Sequence, residues 1–422
     1  MKTICLRARH LWDGSHDPIE NGAVLLRDGK VIASGPYESL PLPEDAEITD
    51  FGEATLIPGL IDGHTHPDCL VGGLEAHDWI YTVSERILYE ITKENALWHL
   101  QSGVTTLFDN GGYKNITLRV RDEIKAGKVV GSDIFSSKVI LRPTAPNVLS
   151  KGGDIDTSKP GNVRRFVHDM IVNENVDWLK LYITRGGLAR YMPQYWGWGP
   201  VFTDEAMTEM VTEAHVYGRK VGAHAVTKAG IESMIRNHGD LVIHCQFYEG
   251  LNGSLWQSTC GRDKVLEDKI VDSGIWVNPT LYTTISPYYV LEERKKSIPL
   301  TDAQIEESRD TYDSYQMTKE IVYALWERGV PMVAGSDSGF CYVVFGNFRK
   351  ELYEYASMGI PTVDILKMAT VNPAKFMDKE GVVGCLTPGA DADAAVFRGD
   401  LFKDIHCLDE PLAVFKKGRR YV

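Results

Sequence analysis

Between residues 59 and 384 the chain alternates short apolar, β-branched runs with longer stretches of helical periodicity. Runs at 105–108, 129–135, 178–183, 220–223, 241–243, 276–279 and 331–334 predict strands. Apolar positions at helical spacing over 203–217 and 231–237 predict helices between them. With the run that ends in Ile61-Asp62-Gly63-His64-Thr65-His66, the strand count reaches eight. Eight strands alternating with helices predict an α/β fold, a parallel (β/α)8 TIM-like barrel. An open doubly wound sheet is the competing arrangement, but no GxGxxG follows the first strand of this region.

The two ends of the chain read differently. Apolar runs at 23–26 and 30–34 flank Asp28-Gly29, a hairpin signal. Runs at 394–397 and 412–415 precede a turn at Lys417-Gly418. Both termini therefore predict one small β-sandwich lobe, with 1–58 and 385–422 as its two parts and 59–384 as the barrel.

Composition narrows the classes. The 422 residues are 43% hydrophobic and 24% charged, ordinary for a globular protein, and no long apolar run predicts a membrane span. Charges within the first ten residues occupy positions where a signal peptide needs apolar ones, so a cytoplasmic location is expected. Seven cysteines without a CxxC pair read as reduced thiols. A net charge of −13 argues against nucleic acid and leaves a small-molecule substrate as the expected partner.

The chemistry gathers at predicted strand ends, where barrels of this kind place their active sites. Side chains at i and i+2 of a strand share one side, so His64 and His66 aim at a common point and read as a pair of metal ligands. His224 and His244 each follow a short apolar run, as a strand-end ligand does; a hydrogen-bonded core histidine is the bland alternative at each. Asp337, among Gly335, Ser336, Ser338 and Gly339, reads as a ligand and proton acceptor or as a turn former. Lys180 stands among apolar residues, as a snorkelling side chain does. Burial also lowers a lysine's pKa, and a neutral amine adds carbon dioxide to become a carboxylate able to bridge two metal ions.

In the order HxH, Lys, His, His, Asp, this set resembles the amidohydrolase superfamily. The resemblance extends to Ile57-Pro58-Gly59-Leu60-Ile61-Asp62-Gly63-His64-Thr65-His66, to Ser102-Gly103-Val104-Thr105-Thr106, to Thr370-Val371-Asn372-Pro373-Ala374, and to the stretch from Gly384 to Asp393. It spans nearly the whole chain and is closest to the branch with imidazolonepropionase-like proteins and Xaa-Pro dipeptidases. It implies a binuclear site in which His64, His66 and Asp337 hold one divalent ion and His224 and His244 the other. Carboxylated Lys180 bridges the two ions; zinc is the default metal, with manganese or cobalt as substitutes. It further implies that a bridging hydroxide attacks a carbonyl while Asp337 carries the proton to the leaving nitrogen. A homo-oligomer fits the family.

Deaminases and imidazolonepropionases of the superfamily usually carry a glutamate three residues after the third histidine; here Thr227 stands there. With Lys180, this favours a hydrolase that cleaves an amide-type C–N bond in a dipeptide, N-acyl amino acid or carbamate. A mononuclear deaminase or cyclic-amide hydrolase is the alternative reading, and a non-catalytic scaffold has no need of six converging ligands. For the pocket, Trp196 and Trp198 are expected to stack on substrate or to pack on the rim. Arg142 and Arg185 pair with a substrate carboxylate or with internal acids. Tyr282, expected at a strand end, would donate to the developing oxyanion.

Overall fold

The computed structural model describes residues 2–70, 82–144, 152–159, 161–184, 199–250 and 258–422. Arg185, Trp196 and Trp198 lie outside them.

Among the described residues, seven parallel strands carry the central layer. The first, Leu60–Thr65, pairs with Val104–Asp109, which pairs with Asp133–Ser136. The chain then bends at Lys138, whose φ of 66° takes it out of extended conformation, and continues as Ile140–Pro143. The third strand, expected over 129–135, thus starts at Asp133 and has a second piece beyond the expected range. The second piece pairs with the fourth strand, Leu179–Tyr182, followed by Val221–Thr227, Leu241–Gly250 and Trp276–Asn278, all in parallel register. The eighth segment forms only isolated bridges, Val277 with Met332 and Thr65 with Ser338. Gly335 and the left-handed Asp337 (φ 59°) interrupt its pleat. Even so, the amide of Gly63 donates to Ala334 and that of Asp337 to His64, so this segment joins the seventh strand to the first. The architecture is a TIM-barrel-like α/β fold.

Helices cover the strands for the reason their periodicity announces. In Asp204–Val216, Met207, Met210, Val211 and Ala214 are buried at successive turns, and the hydroxyl of Thr203 accepts the Ala206 amide at its start. These side chains join the main core with Leu179, Leu181, Val221 and Ala223 of the neighbouring strands.

The lobe draws on both termini. Its eight strands form one hydrogen-bonded sheet containing Ile4–Leu11, Ile19–Arg27, Lys30–Pro36 and Ala54–Pro58 together with Ala394–Arg398 and Pro411–Lys416. The sequence suggested a sandwich; the ladders instead form a single sheet that forks. One edge of Ile4–Leu11 pairs first with Glu47–Asp50 and then, two residues from its end, with Ala54–Pro58. Asp28 and Gly29 make the expected tight turn, with φ of 54° and 77°. Through Gly59 the last N-terminal strand of the lobe leads directly into the first barrel strand. A Cβ at Gly59 would stand 2.2 Å from the Thr105 hydroxyl, so only glycine fits there.

Candidate metal centre

The first and eighth segments approach closely because two glycines allow it. A Cβ on Gly63 would meet Val333 at 2.2 Å, and one on Gly335 would meet the His64 Cβ at 2.6 Å. Across this contact His64, His66 and Asp337 come together. The Nε2 atoms of His64 and His66 each lie 3.3 Å from Oδ1 of Asp337, and all three side chains are buried. His244 joins them from the sixth strand, its ring centroid 5.3 Å from that of His64. His64, His244 and Asp337 turn ligand atoms within 4.8 Å of one another. His224 completes the set, 4.6 Å centroid to centroid from His244 and stacked 4.4 Å from Tyr182. Lys180, 2% exposed, sets its Nζ 3.5 Å from Nε2 of His64.

Ring orientation follows from the partners on the far nitrogens. Nδ1 of His64 donates to Oδ1 of Asn278 (2.9 Å), whose amide nitrogen is fixed by donating to Val333 O (2.8 Å). Nδ1 of His66 donates to the carbonyl of Gly111 (2.9 Å), and Nδ1 of His244 meets Oγ1 of Thr280 at 2.6 Å. A neutral ring that spends Nδ1–H this way offers Nε2 as a lone pair, the form in which imidazole binds metals. Burial, then the positive charge of Lys180, holds His64 well below the usual imidazole range. Burial, then His224, does the same for His244. Oδ1 of Asp337 is buried and has no hydrogen-bond donor among the described residues. Lone pairs from two imidazoles and a carboxylate thus converge on one buried point, an arrangement that repels itself unless a cation sits within it. The donor set fits a divalent metal. The backbone agrees: His244 and Asp337 hold φ of 73° and 59°, sparsely populated conformations that cluster at functional sites.

Burial brings the Lys180 amine down to about 7, against opposing attraction from Asp337 and Asp109. The lysine is therefore buried among ligand side chains and is available as a free amine near neutral pH.

Beneath the histidines, Asp62 accepts the backbone amides of His64 (3.1 Å) and Ser336 (2.9 Å), the Ser336 hydroxyl (2.5 Å) and Nε2 of His99 (3.1 Å). It ties the first strand to the eighth segment one residue before Asp337. Asn278, Thr280, Asp62 and His99 were not singled out from sequence. Asn278 had a usable signal, a polar residue closing a strand whose neighbours all end in ligands.

For two residues expected to line the pocket the structure gives the local setting. Tyr282 is not at a strand end: the strand stops at Asn278 and Tyr282 lies in the first turn of the helix Leu281–Lys295. Its ring packs 6.2 Å from Tyr289, and burial followed by Glu354 pushes its hydroxyl pKa up. The structure does not group it with the histidines. Arg142 is buried and its Nε donates to Asp154 at 2.8 Å, the internal ion pair that was its alternative reading.

With this geometry in view, a model of the Amidohydrolase family matches residues 55–420. The imidazolonepropionase of Geobacillus thermodenitrificans is 23% identical over 92% of this chain and 86% of its own length. Other curated relatives match in part. Glycerol-3-phosphate dehydrogenase of Staphylococcus aureus is 23% identical over 52% of this chain and 66% of its own length. The imidazolonepropionase of Geobacillus kaustophilus is 31% identical over 25% of this chain and 31% of its own. Among solved structures, a Xaa-Pro dipeptidase with bound methionine superposes with a TM-score of 0.81 at 22% identity, covering 100% of both chains. Molinate hydrolase superposes at 0.77 with 20% identity, covering 100% of this chain and 94% of its own. Both likenesses establish the fold. Among the described residues no helix is long and apolar enough to cross a membrane.

Proposed function

From the premise that this chain belongs to the amidohydrolase family, a family of hydrolases acting on C–N bonds, we propose that it is a binuclear metal hydrolase of small amide-type substrates. Dipeptides, N-acyl amino acids and carbamates are the classes in view. The observation that carries this reading is Lys180. It is a buried amine 3.5 Å from His64, and carboxylated it would add a carboxylate ligand to a pair of divalent ions that His64, His66, His224, His244 and Asp337 would hold.

Divalent ions held there, zinc by default, would polarise the scissile carbonyl and activate water for attack. The remaining work falls to the protein's own groups. Asn278, Gly111 and Thr280 keep the three rings turned so that Nε2 faces inward. Asp337 holds Oδ1, which has no donor among the described residues, at the same point, where it would accept the proton of the attacking water and return it to the leaving nitrogen. Thr227, where deaminases of the superfamily place a glutamate, accepts the Gly230 amide at the start of the helix Lys228–Arg236. With no carboxylate at that position to shuttle protons, hydrolysis is favoured over deamination.

The test is a mass-spectrometric screen of the metal-loaded protein against dipeptides, N-acyl amino acids, carbamates, ureas and aminated heterocycles, with Lys180→Ala alongside. Cleavage of a carbonyl–nitrogen bond that vanishes in the variant is the expected result. Ammonia release that survives the substitution would overturn the reading in favour of one-metal deamination.

A further inference from the structure

The helix Leu281–Lys295 begins unlike three of the four others that a threonine precedes among the described residues. Thr203, Thr227 and Thr301 hold φ of −70°, −101° and −72°, and each hydroxyl accepts an amide of the helix it starts. Thr280 holds φ of 50° and makes no such bond. Its hydroxyl is engaged by His244 Nδ1 at 2.6 Å instead. The first-turn amides of this buried helix start still require acceptors, and another helix supplies them. Glu351, fully buried in Arg349–Ser357, accepts the Leu281 amide on Oε1 (2.9 Å) and the Tyr282 amide on Oε2 (2.6 Å). The hydroxyl of Tyr355 donates to the same Oε1 at 2.5 Å and locks the carboxylate. The same first turn reaches the other half of the centre, since the Thr283 hydroxyl donates to the carbonyl of Ser336 at 3.3 Å.

A β-branched residue in the left-handed region is strained and persists only where its surroundings impose it. Two buried bonds from Glu351 to the next two amides are such an imposition. We propose that Glu351 is a positioning residue for the metal centre: it caps this helix in trans, which frees Thr280 to orient His244. This rests on the reading of His244 as a metal ligand. The capping carboxylate lies 70 residues from the amide it serves, beyond the segments in which the ligands themselves occur.

The test uses the full chain with Glu351→Gln, whose amide nitrogen would face a backbone N–H, and Thr280→Val, which removes the hydroxyl. In metal-free protein, hydrogen exchange reads the Leu281 and Tyr282 amides, and histidine-selective 15N NMR reads the His244 ring. Cobalt(II) titration, followed by absorption, reads the loaded site. Glu351→Gln is expected to lose amide protection and to move the His244 resonance toward its position in Thr280→Val. It is also expected to weaken cobalt binding by about tenfold or more, as loss of a ligand's hydrogen-bond support does. Adding it to Thr280→Val should cost nothing further, because both act through one bond. An unmoved His244 resonance in a Glu351→Gln protein that has lost amide protection overturns the proposal, and so do losses that add. If Glu351→Gln does not fold, Tyr355→Phe loosens the same carboxylate and the same His244 shift decides. Failure of the wild type to bind cobalt would count against the metal reading, and the metal-free NMR would still judge Glu351.

Discussion

The Lys180 amine stands 3.5 Å from Nε2 of His64, in a place where burial has brought it down to about 7. Only the neutral amine adds carbon dioxide, so carboxylation should be readily reached above about pH 7 and should fall away below it. Incubation with 13C-labelled bicarbonate and zinc is expected to give one carbamate resonance in the 13C spectrum. Lys180→Ala should lose that resonance and bind one zinc fewer. An unchanged zinc stoichiometry in the variant would remove Lys180 from the bridge.

Asn278 both accepts from His64 and donates to Val333, which fixes the tautomer of the ring. Asn278→Ala should therefore weaken metal binding about 10–100-fold, the usual cost of losing a ligand's outer partner. Isothermal titration against a competing chelator measures it. A fall in Tm with unaltered metal affinity would make Asn278 a packing residue only.

That His64, His244 and Asp337 come together was legible in the sequence because each closes a predicted strand, and a strand that ends in a histidine looks the same whatever its partners. The support around the set was not legible. Asn278 contacts His64 across 214 positions, and Asp62 contacts Ser336 across 274. No local pattern encodes such pairings. Tyr282 was misplaced for a related reason: Asn278-Pro279-Thr280 reads as a strand running on, whereas the left-handed Thr280 turns the chain straight into a helix. The eighth run, 331–334, was legible from its apolar residues and does bond to both neighbours, whereas nothing local announced that the left-handed Asp337 just beyond it would end the pairing. In the lobe the hairpin signals were local and sufficient. The fork in its sheet depends on Ile4–Leu11 sharing one edge between two strands, which nothing nearby announces.

Gly335 gives a stability prediction with an internal control. An added Cβ would lie 2.5 Å from the Asn278 amide nitrogen and 2.8 Å from the His64 backbone nitrogen, neither of which is free to move. Gly335→Ala should destabilise by about 1–3 kcal/mol, the cost of overpacking, and should weaken metal binding as well. At Gly261 the nearest atom to an added Cβ is Met317 Cε at 3.9 Å, and Gly261→Ala should be close to neutral. Urea midpoints for the two variants compare them directly. Equal midpoints would mean that the first and eighth segments sit farther apart than described.

Asp393 supplies the pH dependence. It is 2% exposed, Oδ1 accepts the Lys417 amide at 2.7 Å, and Oδ2 has no partner among the described residues. Burial, with the negative charge of Asp133, raises its carboxyl to about 7 against the attraction of Lys416. An acid whose pKa is raised by folding binds more protons in the folded state between its unfolded and folded values. Its stabilising contribution is thus complete below about pH 4 and is lost as the pH rises through about 7. Asparagine keeps the Oδ1 acceptor and mimics the protonated form. Asp393→Asn should raise Tm a little at pH 5, where part of the wild type's contribution is already lost, and more at pH 8, the increase growing by about 2 °C or more between the two. Scanning calorimetry on both proteins at the two pH values gives the difference, from which titrations common to both cancel. A difference that stays flat from pH 5 to pH 8 would show that Asp393 is ionised throughout and that Lys416 compensates for its burial.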